Sequence, residues 1–203
     1  SDDTNIYTLF KAIKNRTPAQ ISFYDRGIGA EARGLWEWWT WARRKARQTT
    51  GWGFSKNVRD CYQFIFDNYE AGDKIYLFGF SRGAATVRST AGFIHMFGIL
   101  PKSRPELIKE AYKIYKIRNR TKRLDLANDF YEKHNAMWAD IEFIGVWDTV
   151  AALYGFGDFH DFSLSPSVRN AYHALSIDDK RKEFHPVLWD ENLLDHQSMQ
   201  QMW

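Results

Sequence analysis

The sequence predicts an α/β fold: a doubly wound, mostly parallel sheet with a helical cap inserted into it. Short apolar runs alternate along the chain with longer helical segments, as in a sheet whose strands are joined by right-handed crossovers. One of these runs, IYLFGF, is apolar without interruption, which is typical of a parallel strand buried on both faces. The 203 residues are 44% hydrophobic and 26% charged, so a single domain over 1–203 is expected.

The segments before residue 81 predict two helices and two strands. Apolar residues recur at helical spacing over 4–14 and again over 54–72, where EAGD ends the second helix. The segment AQISFYD, residues 19–25, predicts a strand that enters the glycine-rich turn RGIGA. The segment KIYLFGF, residues 74–80, predicts a short strand that is buried on both faces.

The segments after residue 81 begin with a helix over 83–97 that is rich in small residues. Ser103 and Glu106 have the spacing of a capping box, and they predict the start of a helical insertion over about 102–136. The run DIEFIGVWDTV, residues 140–150, predicts the next buried strand. Beyond it, NAYHALSI predicts a helical or extended segment, and FHPVLW predicts a strand.

The segment Gly79-Phe80-Ser81-Arg82-Gly83 lies where a predicted strand passes into a predicted helix. Its G-x-S-x-G pattern is typical of a nucleophile elbow, a tight turn that holds a serine in a strained backbone conformation. Glycine is expected two positions to either side, because a side chain there would collide with the adjacent strand and helix. We therefore predict that Ser81 is a nucleophile, with a plain tight turn as the alternative.

The backbone N–H of Arg82 is predicted to form half of an oxyanion hole. The elbow directs the N–H groups that follow Ser81 towards the serine oxygen, and a helix that begins there favours developing negative charge. The small residues in GAATVRSTAG let this helix pack close to the sheet.

A serine nucleophile needs a base, and the base needs an acid that orients it. Asp148 is the candidate acid, because it ends the next buried strand on the same edge of the sheet as Ser81. A helix N-cap or an Asx turn is the alternative for this aspartate. Four histidines follow it, namely His160, His173, His185 and His196. None of them ends a strand in a glycine-rich loop, and the apolar neighbours of His173 favour a core histidine.

Charge and composition argue against several kinds of function. A net charge of +3 is too small to predict nucleic-acid binding. The N-terminal residues lack the layout of a signal peptide, and no apolar run reaches 18 residues. Cys61, the single cysteine, cannot form an internal disulfide. No set of Cys and His residues has zinc spacing and no P-loop is present, so neither a metal nor a cofactor is expected.

The segment LWEWWTWARRKAR, residues 35–47, combines four tryptophans with a basic cluster. Tryptophan favours the membrane interface, and basic side chains favour anionic headgroups. A lid or membrane-docking element is one interpretation, and packing of these rings into the domain's own cap is an equal one.

Four segments together resemble a known family: YDRGIGA, GDKIYLFGFSRGAATVRSTAGFI, GVWDTVAAL and NAYHALSIDDKRKEFHPVLW. The chain resembles the uncharacterised α/β-hydrolase domain family that includes the type VI secretion phospholipase effectors of the first lipase class. The resemblance is collinear from about Asn5 to Trp189, and the combination of motifs is far more specific than G-x-S-x-G alone.

The resemblance implies a phospholipase A that acts on glycerophospholipids through Ser81 and Asp148. In the family, the catalytic histidine lies in a Pro-Gly-x-His-x-Asp-Val-Gly-Gly motif soon after the segment that matches HPVLW, so we expect it beyond Trp203. The family's domain usually opens with a strand that ends in a Phe-Asp-Gly-Thr-like turn, which we expect before Ser1. The chain is thus expected to be incomplete at both ends.

The resemblance also implies partners and a place of action. It implies synthesis in the cytoplasm and secretion into a target-cell periplasm by a type VI system. A phospholipid membrane surface, an immunity protein and the secretion apparatus would be its partners.

Two other functions stay open at this point. The elbow suits a serine esterase or acyltransferase with a soluble substrate equally well. A non-catalytic interaction module on a hydrolase scaffold would fit a chain without the histidine motif.

Overall fold

The computed structural model describes residues 4–13, 17–25, 52–149, 162–176 and 187–203. The RGIGA turn, the tryptophan-rich segment over 35–47, His160 and His185 lie outside the described residues. Within the described ranges, no helix combines the length and the apolar character that crossing a bilayer would require.

The described strands form one parallel sheet of β1 (Ile75–Phe80), β2 (Ile141–Trp147), β3 (Val168–Ala174) and β4 (Ser198–Met202). They lie side by side in chain order, and each neighbouring pair is parallel. The carboxyl ends of all four strands therefore meet at one edge of the sheet. This arrangement confirms the α/β class and the parallel sheet that the sequence predicts.

Five helices are described: α1 (Asn5–Ala12), α2 (Trp52–Asn68), α3 (Arg82–Phe97), α4 (Leu107–Tyr115) and α5 (Arg120–His134). The last three lie between β1 and β2, so they form the crossover that parallel strands require. α3 packs on β1 and β2, and α2, α4 and α5 pack on α3. α4 and α5 are the helical insertion expected over about 102–136.

The core centres on α3, which is buried along nearly its whole length because small side chains line it. Aromatic rings fix its outer side: Phe93 lies 4.7 Å from Tyr62 and 5.4 Å from Tyr115 between ring centroids. The Tyr62 hydroxyl donates to Gly98 O (2.9 Å) and accepts from Leu100 N (3.1 Å), which ties α2 to the end of α3. α3 is thus a rigid support for the turn at its start.

The prediction of a strand over 19–25 is wrong. Residues 21–25 have no strand partner among the described residues, and the neighbouring backbone pairing is an isolated bridge between Thr17 and Gln20. The aromatic side chains that suggested a strand pack on helices instead: Phe23 stacks on Phe64 at 5.2 Å and Tyr24 on Phe10 at 5.1 Å.

The insertion also begins differently from the prediction. Glu106 is itself the residue that precedes α4, it makes no capping bond, and its carboxylate pairs with Arg104 at 2.8 Å. The expected capping box at Ser103 is therefore not formed. The insertion is split as well, because Asn119 caps a new helix by accepting from Lys122 N at 2.9 Å.

The last strand lies later in the chain than expected. Residues 187–190, which include the end of the FHPVLW segment, are not in a strand, whereas SMQQM forms β4. Gln201 of β4 holds the earlier segment through its side chain, accepting from Trp189 N (2.9 Å) and donating to Trp189 O (3.2 Å). NAYHALSI was predicted to be helical or extended, and it is extended, since β3 covers its first part.

Candidate active site

Ser81 forms the turn between β1 and α3, where its backbone takes the unusual conformation of φ 55° and ψ −114°. A non-glycine residue in such a region costs about 1–3 kcal/mol and persists only where its surroundings enforce it. Ser81 is 3% exposed, and its Oγ has no hydrogen-bond partner among the described residues. A buried hydroxyl without a partner is costly, so strain and desolvation coincide at the predicted nucleophile.

Gly79 shows why the elbow needs a residue without a side chain. A Cβ at this position would lie 2.6 Å from Ala84 N and closer still to Gly83 O, both of which are backbone atoms. β1 and the first turn of α3 can therefore approach each other only at a glycine. Gly83 differs, because a Cβ there would meet no described atom within 4 Å, and the collision expected for it is not found.

This contrast predicts opposite effects of two similar substitutions. We expect Gly79→Ala to lower the free energy of unfolding by about 3 kcal/mol, since the clash is with backbone that cannot rotate away. The matched Gly83→Ala should raise it by up to about 1 kcal/mol, because alanine is the better helix former. Urea denaturation followed by far-UV circular dichroism measures both values, and equal effects at the two glycines would contradict the elbow geometry.

Asp148 lies directly after β2, beside Ser81. The Ser81 N–H donates to Trp147 O at 2.9 Å, so the backbones of the two turns meet at the strand ends. Asp148 has φ 45°, and its N–H donates to Ala174 O at 3.0 Å. Its Oδ1 accepts from Ser176 N at 2.6 Å. This acceptor role serves a residue far along the chain.

The carboxylate of Asp148 is thus oriented by the main chain after β3. Ser176 fixes one oxygen, Oδ1, and no described residue bonds Oδ2. A carboxylate held in this way can orient a base that approaches from the edge of the sheet.

None of the described histidines forms a hydrogen bond with the Ser81 hydroxyl. His173 lies inside β3, is fully buried, and has Thr149 and Gln201 against its two ring nitrogens. The prediction of a core histidine at this position is confirmed. His196 comes just before β4, at the opposite edge of the sheet from Ser81, where its Nε2 lies 2.8 Å from Pro166 O.

The start of α3 supplies the electrostatics of the site. The first N–H groups of a helix have no acceptor within the helix, and the helix dipole favours negative charge there. Arg82 is the first residue of α3, so its N–H is one of these groups. Burial lowers the pKa of its guanidinium group. Within the described ranges, no cluster of three or more His, Cys, Asp or Glu side chains could hold a metal ion.

Sequence reasoning missed the residues that hold these turns. Ser176 acts through its backbone, which no side-chain pattern reveals. Arg88 is 2% exposed on α3, and it donates through Nε to Phe162 O at 2.9 Å and through Nη1 to Val187 O. An arginine in the middle of a helix that carries mostly small and apolar side chains was the signal that could have identified it.

Two comparisons with known proteins found a match. The profile of the family described as T6SS, phospholipase effector Tle1-like, catalytic domain matches residues 1–203. Uncharacterized protein YEL023C of Saccharomyces cerevisiae is 29% identical over 202 aligned residues, which cover 89% of this chain. The chain spans 29% of that relative's length. No solved structure matches. The family match covers all 203 residues, so the chain belongs to the Tle1-like family of type VI secretion phospholipase effector catalytic domains.

Proposed function

We propose that this chain carries the catalytic core of a serine-dependent phospholipase A that hydrolyses acyl esters of glycerophospholipids. One observation carries the proposal: the Ser81 hydroxyl is buried, has no partner among the described residues, and sits on a strained turn beside Asp148. Membership of a phospholipase effector family supports a phospholipid as the substrate.

Each of these groups has a role in the proposed reaction. Ser81 Oγ attacks the ester carbonyl carbon while a base takes its proton, and the Arg82 N–H donates to the oxyanion of the tetrahedral intermediate. The intermediate collapses to an acyl-serine, and the lysophospholipid leaves with the proton that the base returns. Water then attacks the acyl-serine in the same way, releasing the fatty acid and restoring Ser81.

The base in this proposal is a histidine that follows Trp203. β4 runs parallel to β3, and the Leu175 N–H donates to Met202 O at 2.7 Å, so the end of β4 is fixed beside the end of β3. A residue that follows β4 enters the edge of the sheet where Ser81 and Asp148 lie. Oδ2 of Asp148 would accept the Nδ1–H of that histidine, and its Nε2 would take the serine proton.

The same proposal includes the place of action. A type VI effector is delivered by a secretion apparatus, and a phospholipase that reached a target-cell periplasm would act on the membrane surface there. An immunity protein that covers the edge of the sheet around Ser81 would protect the producing cell.

The experiment that tests the function compares two substrates for the full-length protein. We expect release of fatty acid and lysophospholipid from phosphatidylethanolamine–phosphatidylglycerol vesicles, with little hydrolysis of short-chain p-nitrophenyl esters in solution. Mass spectrometry of the products measures the first reaction, and absorbance measures the second. If the protein cleaved the soluble ester and left the vesicles intact, it would be an esterase with a soluble substrate and not a phospholipase.

A further inference from the structure

His173 is a buried histidine that the proposed reaction does not use. It lies in β3, is 0% exposed, and shares its face of the sheet with Val146, its register partner in β2. The ring of Trp189 packs against it edge to face, with 5.3 Å between the ring centroids. A fully buried imidazole needs partners for both ring nitrogens, and these partners decide its tautomer.

The contacts of His173 select one tautomer. Its Nε2 lies 3.5 Å from Thr149 N, and a backbone N–H can only donate, so Nε2 accepts. Its Nδ1 lies 3.4 Å from Gln201 Oε1. The Gln201 amide is fixed by its two bonds to the Trp189 backbone, which turn its oxygen towards the ring. Nδ1 therefore donates, and only the neutral ring with its proton on Nδ1 satisfies both contacts.

The surroundings keep this ring neutral. Arg88 is the charged group that the described elements bring towards it: its guanidinium lies 4.7 Å from the centroid of Trp189, whose ring also contacts His173. From the turn after β2 and from β4 the ring is faced by the uncharged groups of Thr149 and Gln201. Burial, and after it the Arg88 charge, lower the pKa of His173 to about 4.

The neutral ring holds the turn that carries Asp148. Thr149, the next residue, is held on both sides: its N–H faces His173 Nε2, and its carbonyl accepts from Val187 N at 2.9 Å. Val187 is held in turn by Arg88 through its own carbonyl. Asp148 has a positive φ, which needs such external support.

We propose that His173 is a positioning residue: as the neutral Nδ1–H tautomer it joins the Asp148 turn to β4, the strand from which the base enters. The inference rests on the proposed function for the catalytic roles of Asp148 and of that base. It differs from an ordinary core role, because the acceptor nitrogen, and not only the volume of the ring, matters.

Nitrogen-15 NMR of the histidine rings in the full-length protein tests the tautomer without any activity measurement. We expect His173 to show a protonated Nδ1 and an unprotonated Nε2 from pH 5 to pH 8, with no titration in that range. His173→Gln assigns the signal. A proton on Nε2, or titration near the ordinary pKa of histidine, would overturn the inference whether or not the protein is a phospholipase.

Kinetics of three variants test the positioning role. His173→Gln keeps an acceptor within reach of Thr149 N, whereas His173→Asn reaches only the Nδ1 position and His173→Phe has no acceptor. We expect kcat on vesicles, per folded protein measured by near-UV circular dichroism, to fall about 10²-fold for Asn and Phe and much less for Gln, with similar KM values. If His173→Phe does not fold, the Gln and Asn pair decides the question.

A purely structural histidine would give a different result. All three variants would then lower the melting temperature while kcat per folded molecule stayed at the wild-type value. Loss of activity in His173→Gln equal to that in His173→Asn would likewise overturn the acceptor role. Failure of the proposed function can be distinguished from failure of the positioning role, since the wild-type protein itself would then leave vesicles intact.

Discussion

Replacing Ser81 with alanine is expected to lower kcat/KM on phospholipid vesicles by at least about 10⁴-fold. The serine oxygen is the atom that bonds to the substrate in the proposed reaction, and alanine leaves only the oxyanion hole and substrate binding. Initial rates of fatty-acid release from vesicles measure the loss. Labelling by a fluorophosphonate probe, which reacts with activated serines, should disappear with it.

Stability should change in the opposite direction to activity. The Ser81 hydroxyl is buried without a partner among the described residues, and burying such a group costs about 1–3 kcal/mol. Removing it should therefore raise the free energy of unfolding by about 1 kcal/mol, as measured by urea denaturation. A residue kept for packing would show the reverse, with lower stability and unchanged turnover.

Ser89 provides the matched control on the same helix. Its side chain is fully buried and its Oγ also lacks a partner among the described residues, but it lies two turns beyond the elbow. Ser89→Ala should affect stability in a similar way and leave hydrolysis and labelling within about twofold of wild type. Persistent labelling of Ser81→Ala, or equal loss of activity in both variants, would show that Ser81 is not the nucleophile.

The tight turn at Ser81 and the place of Asp148 after β2 could be predicted because local rules determine both. A run of apolar residues, a G-x-S-x-G turn and a small-residue helix each constrain the backbone within a few residues. Asp148 follows a second buried strand, and parallel strands bring their carboxyl ends together. The clash that a Cβ at Gly79 would have with Ala84 N explains why the G-x-S-x-G turn needs its first glycine.

Long-range contacts explain what the sequence did not reveal. β4 is a polar, half-exposed strand that lies outermost among the described strands, beside β3. Its sequence SMQQM therefore lacks the apolar run of β1 and β2. The more apolar residues 187–190 stay irregular, held by side chains of α3 and β4. The tie from Ser176 to Asp148 links positions 28 residues apart through a backbone N–H, which leaves no trace in residue type.

The substitution Asp148→Asn is expected to lower kcat by about 10⁴-fold while the turn keeps its shape. The amide oxygen of the variant side chain can still accept from Ser176 N, and asparagine tolerates the positive φ of this position better than most residues do. The amide nitrogen, however, donates where the carboxylate accepts. The base would then turn its wrong nitrogen towards the serine, and its charged form would lose the negative partner that stabilises it.

Asp140 is the control for Asp148, because it precedes β2 at the opposite edge of the sheet and pairs with Arg169 at 2.6 Å. Asp140→Asn should leave vesicle hydrolysis unchanged, since removing an exposed ion pair costs at most about 1 kcal/mol of stability. Fluorophosphonate labelling of Asp148→Asn should slow in parallel with kcat, because the serine is no longer activated. If Asp148→Asn retained more than about a tenth of wild-type turnover at equal stability, another group would have to orient the base, and the pairing of Ser81 with Asp148 at the strand ends would be structural only.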